Sequence, residues 1–130
     1  MATRPGSVII VDDDDAVRSS LKFVLELEGL DVQAYQGGRE VLADAAALPA
    51  DCLVVDYFMP AMTGIELIDE LHRRLVHIPA ILITARADAD MRGQAARAGF
   101  HAVLEKPLSD EALIDTIRSL LPADRTGAPG

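Results

Sequence analysis

The chain has 130 residues, enough for one domain with its own core and too few to leave much room for a second. A formal net charge of −9 disfavours direct contact with the phosphate backbone of a nucleic acid. The single cysteine, Cys52, excludes an intramolecular disulfide, and no apolar run approaches the ~20 residues of a membrane span.

Aromatic residues make up 4% of the chain and Trp is absent, so aliphatic side chains must fill the core. The N-terminal stretch, Met1 to Gly6, lacks a signal-peptide core and reads as a short extension. The expectation is a soluble cytoplasmic protein.

Ser7 to Val11 reads as a first strand. Ala16 to Glu28 reads as a helix with Val17, Leu21, Val24, Leu25 and Glu28 on one face, ended by Gly29. Asp31 to Tyr35 is a weaker strand, and Gly38 to Ala47 an alanine-rich helix stopped by Pro49. Asp51 to Val55 is the third strand. It places Cys52 in an apolar run, where a buried, inert thiol is expected. Thr63 and Glu66 match a capping box that opens a helix running to about Arg74. Pro79 to Ile83 is the fourth strand, Asp88 to Ala98 a helix ending at Gly99, and Ala102 to Leu104 a short fifth strand. Ser109 caps a last helix, with Asp110 and Glu111 in its first turn. Its apolar stripe is Leu113, Ile114, Ile117, Leu120 and Leu121. The Pro/Gly-rich tail, 122–130, is expected to fray, so the domain spans 7–121.

Five strand-then-helix repeats predict an α/β fold with a five-stranded parallel sheet, doubly wound as (βα)5. The strands are aliphatic runs, as expected when both faces of a sheet are covered. Right-handed crossovers gather the loops after the strands at one sheet edge, where ligands of such folds bind.

That edge is where the polar residues fall. Asp12 and Asp13 follow the first strand, Asp56 the third, Thr84 the fourth and Lys106 the fifth. Carboxylates gathered this way repel one another by about 4 kcal/mol per pair at ~4 Å and an effective dielectric near 20. Lys106 offsets part of this, and a hard divalent cation such as Mg²⁺ or Mn²⁺ suits the oxygen ligands. Asp56, at the end of a buried strand, is placed to act as a nucleophile on phosphorus and form an acyl phosphate. A metal, Lys106 and the Thr84 hydroxyl would neutralise the equatorial oxygens. For Asp14 and Asp15 a helix-capping role is the simpler reading. A lone Lys before Pro or a lone Thr at a strand end is ordinarily a loop or cap residue; convergence in one layer favours the functional reading.

The segments Val11-Asp12-Asp13, Val54 to Gly64, Ile83-Thr84-Ala85 and Glu105-Lys106-Pro107 together resemble the response-regulator receiver domain of two-component signalling. Leu104 to Leu108 is similar to the FixJ-type group. The resemblance implies a flavodoxin-like fold and a signalling switch, not an enzyme, although such a domain promotes its own phosphorylation and dephosphorylation. It implies Asp56 as phosphoacceptor, Mg²⁺ held by Asp12, Asp13, Asp56 and the backbone carbonyl of Phe58, and Thr84 and Lys106 on the phosphoryl oxygens. The donor would be the phosphohistidine of a sensor histidine kinase or phosphotransfer protein. A downstream protein would dock on the face built by the fourth helix, fifth strand and fifth helix. A homodimer, a stand-alone protein and a receiver excised from a longer regulator all stay open. The Lys106–Pro107 bond is expected to be cis.

Three positions depart from the family. Val103 stands three residues before the lysine, where a switching Tyr or Phe is usual, and Phe100 is at the wrong offset. Phe58 and Arg86 stand two beyond Asp56 and Thr84, where relatives control water access. Two other readings compete: a degenerate receiver serving as a constitutive binding module, and a small phosphohydrolase with an Asp nucleophile. The latter would need a second acid near Asp56, where Phe58 stands. His72, His77 and His101 lack metal-ligand spacing and read as surface or loop residues. Met59 and Met62 read as loop packing, and Gly37-Gly38 as a turn.

Overall fold

The computed structural model describes residues 4–44, 50–122 and 125–126. Five strands alternate with five helices: β1 Ser7–Val11, α1 Asp15–Leu27, β2 Asp31–Tyr35, α2 Gly38–Ala43, β3 Cys52–Asp56, α3 Gly64–Arg73, β4 Ala80–Thr84, α4 Ala89–Ala98, β5 Ala102–Glu105 and α5 Asp110–Leu120. The strands form one parallel sheet in the order β2-β1-β3-β4-β5. This is the predicted flavodoxin-like (βα)5 fold.

The alternation of side chains along each strand divides the core in two. Ile9, Val11, Leu53, Val55 and Leu82 face one way and pack with Leu67, Ile68 and Leu71 of α3, Val41 of α2 and Ala95 of α4. Val8, Ile10, Val54, Ile81 and Ile83 face the other way and pack with Leu21 and Leu25 of α1 and Leu113 and Ile117 of α5. Both faces of the central strands are thus covered, which is why they read as unbroken aliphatic runs. Cys52 is fully buried, and burial pushes its thiol pKa up to about 12, consistent with an inert packing residue.

The helix boundaries follow their caps. The Asp14 carboxylate accepts from the backbone N–H groups of Ala16 and Val17, so α1 begins at Asp15, one residue before the predicted start. Thr63 and Glu66 form the expected reciprocal capping box of α3, Asp88 caps α4, and Ser109 caps α5. Gly99 ends α4 in the left-handed region at φ 103°, which suits a residue without Cβ. Helix α2 ends at Ala43, short of the predicted Ala47. Residues 45–49, including Pro49, lie outside the described residues.

One pairing is unanticipated by the sequence. The backbone of Arg4–Pro5 lies parallel to Arg125–Thr126, joining part of the predicted N-terminal extension to part of the predicted tail. Beside it, a Cβ on Gly6 would lie 2.9 Å from both terminal carbons of Leu121, so the missing side chain lets α5 close against the start of β1.

Candidate functional site

Each predicted site residue lies where a strand finishes. Asp12 directly follows β1 and Asp13 comes next; Asp56 and Thr84 are the last residues of β3 and β4; Lys106 directly follows β5. Sheet register brings them together. Asp56 pairs with Ile83, and Thr84 pairs with Glu105, the neighbour of Lys106.

One carboxylate oxygen from each of Asp12, Asp13 and Asp56 falls within a group no wider than 4.8 Å. Asp12 is 2% exposed and Asp56 5% exposed, whereas Asp13 is open to solvent. The Nζ of Lys106 lies 3.2 Å from Asp56 Oδ1, with the lysine side chain half-buried. Burial holds the Asp56 carboxyl above the usual carboxylate range; the Asp12 charge adds to this, and Lys106 pulls the other way. Asp12 is raised for the same first reason, against the pull of the Asp14 N–H, which donates to Asp12 Oδ1 at 2.9 Å, and of Lys106. Both carboxyls are thus raised first by burial, with neighbouring carboxylates adding to it. The donor set is all oxygen, two members are buried, and the exposed third leaves a side open to water; this fits a small hard dication that keeps part of its water shell.

Thr84 is 5% exposed. Its hydroxyl is engaged with the loop that follows: Oγ1 donates to the Arg86 carbonyl at 3.4 Å and accepts from the Arg86 N–H at 3.3 Å. The loop after Asp56 is fixed from several sides. Tyr57 N–H donates to the Ile83 carbonyl at 2.7 Å, and Gly64 N–H donates to the Tyr57 carbonyl at 2.9 Å. A Cβ on Gly64 would lie 2.9 Å from the Asp56 carbonyl oxygen, so only glycine lets α3 start this close to Asp56. Met59 is buried in the core, and Met62 sits against Gly38, where a Cβ would meet its sulfur at 2.6 Å. Loop packing thus accounts for both methionines. Ala61 adopts a left-handed φ of 71°, unusual for a residue with a side chain. The Phe58 ring is 74% exposed beside this loop.

The Lys106–Pro107 bond is cis, as expected. Val103 is half-buried and packs against the core face of α2, α3 and α4. Phe100 is buried in that same cluster but precedes β5, at the far end of the sheet from Asp56. His72 and His77 stack on one another with ring centroids 4.8 Å apart, a pairing their spacing did not announce. Neither they nor His101 joins a metal-type cluster among the described residues.

Two contributors escaped the sequence reading. Arg18 of α1 reaches back so that Nη1 donates to the Asp12 carbonyl at 2.7 Å, while Nη2 pairs with Asp15. The i,i+3 spacing from Asp15 hints at the ion pair; the contact with Asp12 needs the helix direction as well. Glu105, adjacent to Lys106, accepts from the Ala87 N–H at 3.0 Å.

Known proteins share both this sequence pattern and this geometry. A sequence model of the response regulator receiver domain matches residues 8–118. The transcriptional regulatory protein FixJ of Azorhizobium caulinodans is 39% identical over 114 residues, 88% of this chain and 54% of that protein. FixJ of Rhizobium meliloti is also 39% identical, over 85% of this chain and 54% of its own length. The chain therefore spans about half the length of these curated relatives. Among solved structures, FixJ-N superposes with a TM-score of 0.80 at 37% identity, covering 88% of this chain and 92% of that one. The chemotaxis protein CheY4 of Vibrio cholerae superposes with a TM-score of 0.84 at 27% identity, covering 90% and 99%. This chain belongs to the response regulator receiver domain family, and its likeness is to FixJ-type members.

Proposed function

We propose that the chain is a phosphorylation switch in which Asp56 accepts a phosphoryl group from the phosphohistidine of a histidine kinase or phosphotransfer protein. The observation that carries this is the buried Asp56 carboxylate, clustered with Asp12 and Asp13 and 3.2 Å from the Lys106 ammonium. An Asp56 oxygen attacks phosphorus; the new O–P bond forms as the N–P bond to imidazole breaks, and the imidazole leaves. Lys106 orients Asp56 and then faces the charge on the transferred group. The Thr84 hydroxyl, released from Arg86, donates to a phosphoryl oxygen. Asp12, Asp13, Asp56 and the Phe58 carbonyl would hold Mg²⁺, which would supply positive charge to the phosphoryl oxygens.

The receiver spans residues 7–121 on this reading, works in the cytoplasm, and signals to a downstream protein through the α4-β5-α5 face, with a homodimer as a further option. The FixJ relatives, named as transcriptional regulators, support a role in controlling a larger regulator. The phosphohydrolase alternative finds no support, because Phe58 stands where its second acid would be needed.

Incubation of the chain with Mg²⁺ and a small phosphodonor such as acetyl phosphate, followed by intact-mass measurement, tests the reading. One added phosphoryl group is expected, absent without Mg²⁺. A mass that stays unchanged under conditions that label other receivers would refute it.

A further inference from the structure

The loop between β4 and α4 is held by side chains at two points. Close to the site, Thr84 Oγ1 bonds both polar groups of Arg86. One residue on, Ala87 is tied on both sides of its Cα: its N–H donates to Glu105 Oε2 at 3.0 Å, and its carbonyl accepts from Arg92 Nε at 2.9 Å. Glu105 comes from β5, where it pairs with Thr84, and Arg92 comes from the first turn of α4. The two residues carry opposite charges, are exposed, and bond the two peptide groups that flank the Ala87 Cα.

We propose that Glu105 and Arg92 form a latch on Ala87 that holds the β4–α4 loop in its resting position and opposes phosphorylation-driven rearrangement. This rests on the phosphoacceptor reading above. When Thr84 turns its hydroxyl to a phosphoryl group on Asp56, Arg86 loses both bonds to it, and Ala87 then carries the loop's hold on the body of the domain. Val103, half-buried and packed on the core, offers no ring to swing into the space Thr84 leaves. Coupling in this chain therefore runs through the loop backbone, and the latch sets the free energy that phosphorylation must overcome. Glu105 and Arg92 are positioning residues; neither touches the phosphoryl group.

The test is the affinity of the intact chain for beryllofluoride in the presence of Mg²⁺, read by calorimetry. Removing either tie favours the rearranged loop, so Glu105→Ala and Arg92→Ala should each tighten binding by about three- to tenfold, the range of one net hydrogen bond. Glu105→Gln keeps an acceptor oxygen and should stay near the wild-type value. The double variant should gain less than the product of the single effects, because both ties hold the same residue. A through-space charge effect predicts the opposite pattern: Glu105→Gln would match Glu105→Ala, and Arg92→Ala would weaken binding. That pattern, or single variants within about twofold of wild type, overturns the latch. In those cases the wild type still binds beryllofluoride; a wild type that fails to bind it removes the phosphoacceptor reading and the latch with it.

Discussion

Where the strands begin, polar groups close on one another. Ser7 N–H donates to Asp51 Oδ2 at 3.0 Å, Ala80 N–H reaches His101 Nδ1 at 3.5 Å, and Arg118 pairs with Glu28 at 2.6 Å. Where the strands finish, the carboxylates of Asp12, Asp13 and Asp56 crowd together, and Lys106 pairs with Asp56. Both ends satisfy their hydrogen bonds: among the described residues no buried side-chain N or O atom lacks a partner. The difference lies in charge. At one end charged groups bond one by one and serve the fold; at the other three carboxylates crowd around one ammonium, an arrangement suited to a bound cation. A sheet edge left in that state is costly to the fold and useful to a ligand.

The contrast can be broken by substitution. The largest effect is expected at the proposed phosphoacceptor: Asp56→Asn should abolish phosphoryl uptake from a small phosphodonor, read by intact mass, while the protein stays folded. Next comes Gly64→Ala, which forces a methyl group to 2.9 Å from the Asp56 carbonyl. It should cost about 2 kcal/mol in urea unfolding, as overpacking does.

Asp12→Asn should act in the other direction. Removing one buried charge should stabilise the metal-free protein by about 1 kcal/mol near pH 7. Mg²⁺ is expected to raise the Tm of the parent chain, and Asp12→Asn should remove that rise. The sign follows from linkage. The carboxyls of Asp12 and Asp56 are raised above 3.8 in the fold, so the stability they contribute is full below that value and is lost as pH rises through the raised ones. The advantage of Asp12→Asn should therefore shrink as pH falls toward about 4, and unfolding curves at the two pH values measure it. The smallest effect is expected at the end where the strands begin: Arg118→Ala breaks a partly exposed pair and should cost under about 1 kcal/mol, with no change in Mg²⁺ binding.

Much of this was legible in the chain itself. The aliphatic runs of β1, β3 and β4, the caps at Thr63, Asp88 and Ser109, and the placement of Asp12, Asp56, Thr84 and Lys106 at strand ends follow from periodicity and cap chemistry. What stayed hidden depends on three-dimensional reach or on too few residues to carry a pattern. The Arg4–Pro5 pairing with Arg125–Thr126 spans two residues a side, too short for any alternation to show. Ala61, with φ 71°, and Leu75, with φ 63°, take a backbone conformation that their side chains give no reason to expect. The contacts of Arg18 with Asp12 and of Glu105 with Ala87 join a long side chain to a backbone group, and a backbone group has no residue type to read.

The pairing of Arg4–Pro5 with Arg125–Thr126 has a practical side. It draws residues 4–5 and 125–126 together at the end where the strands begin, at least a strand's length, roughly 16 Å, from Asp56 at the usual rise per residue. A fluorophore or surface tether attached at residues 4–5 or 125–126 would sit at that end and leave the acidic cluster uncovered. For the same reason, cargo attached there could sense the state of Asp56 only through the body of the domain or by folding back around its flank.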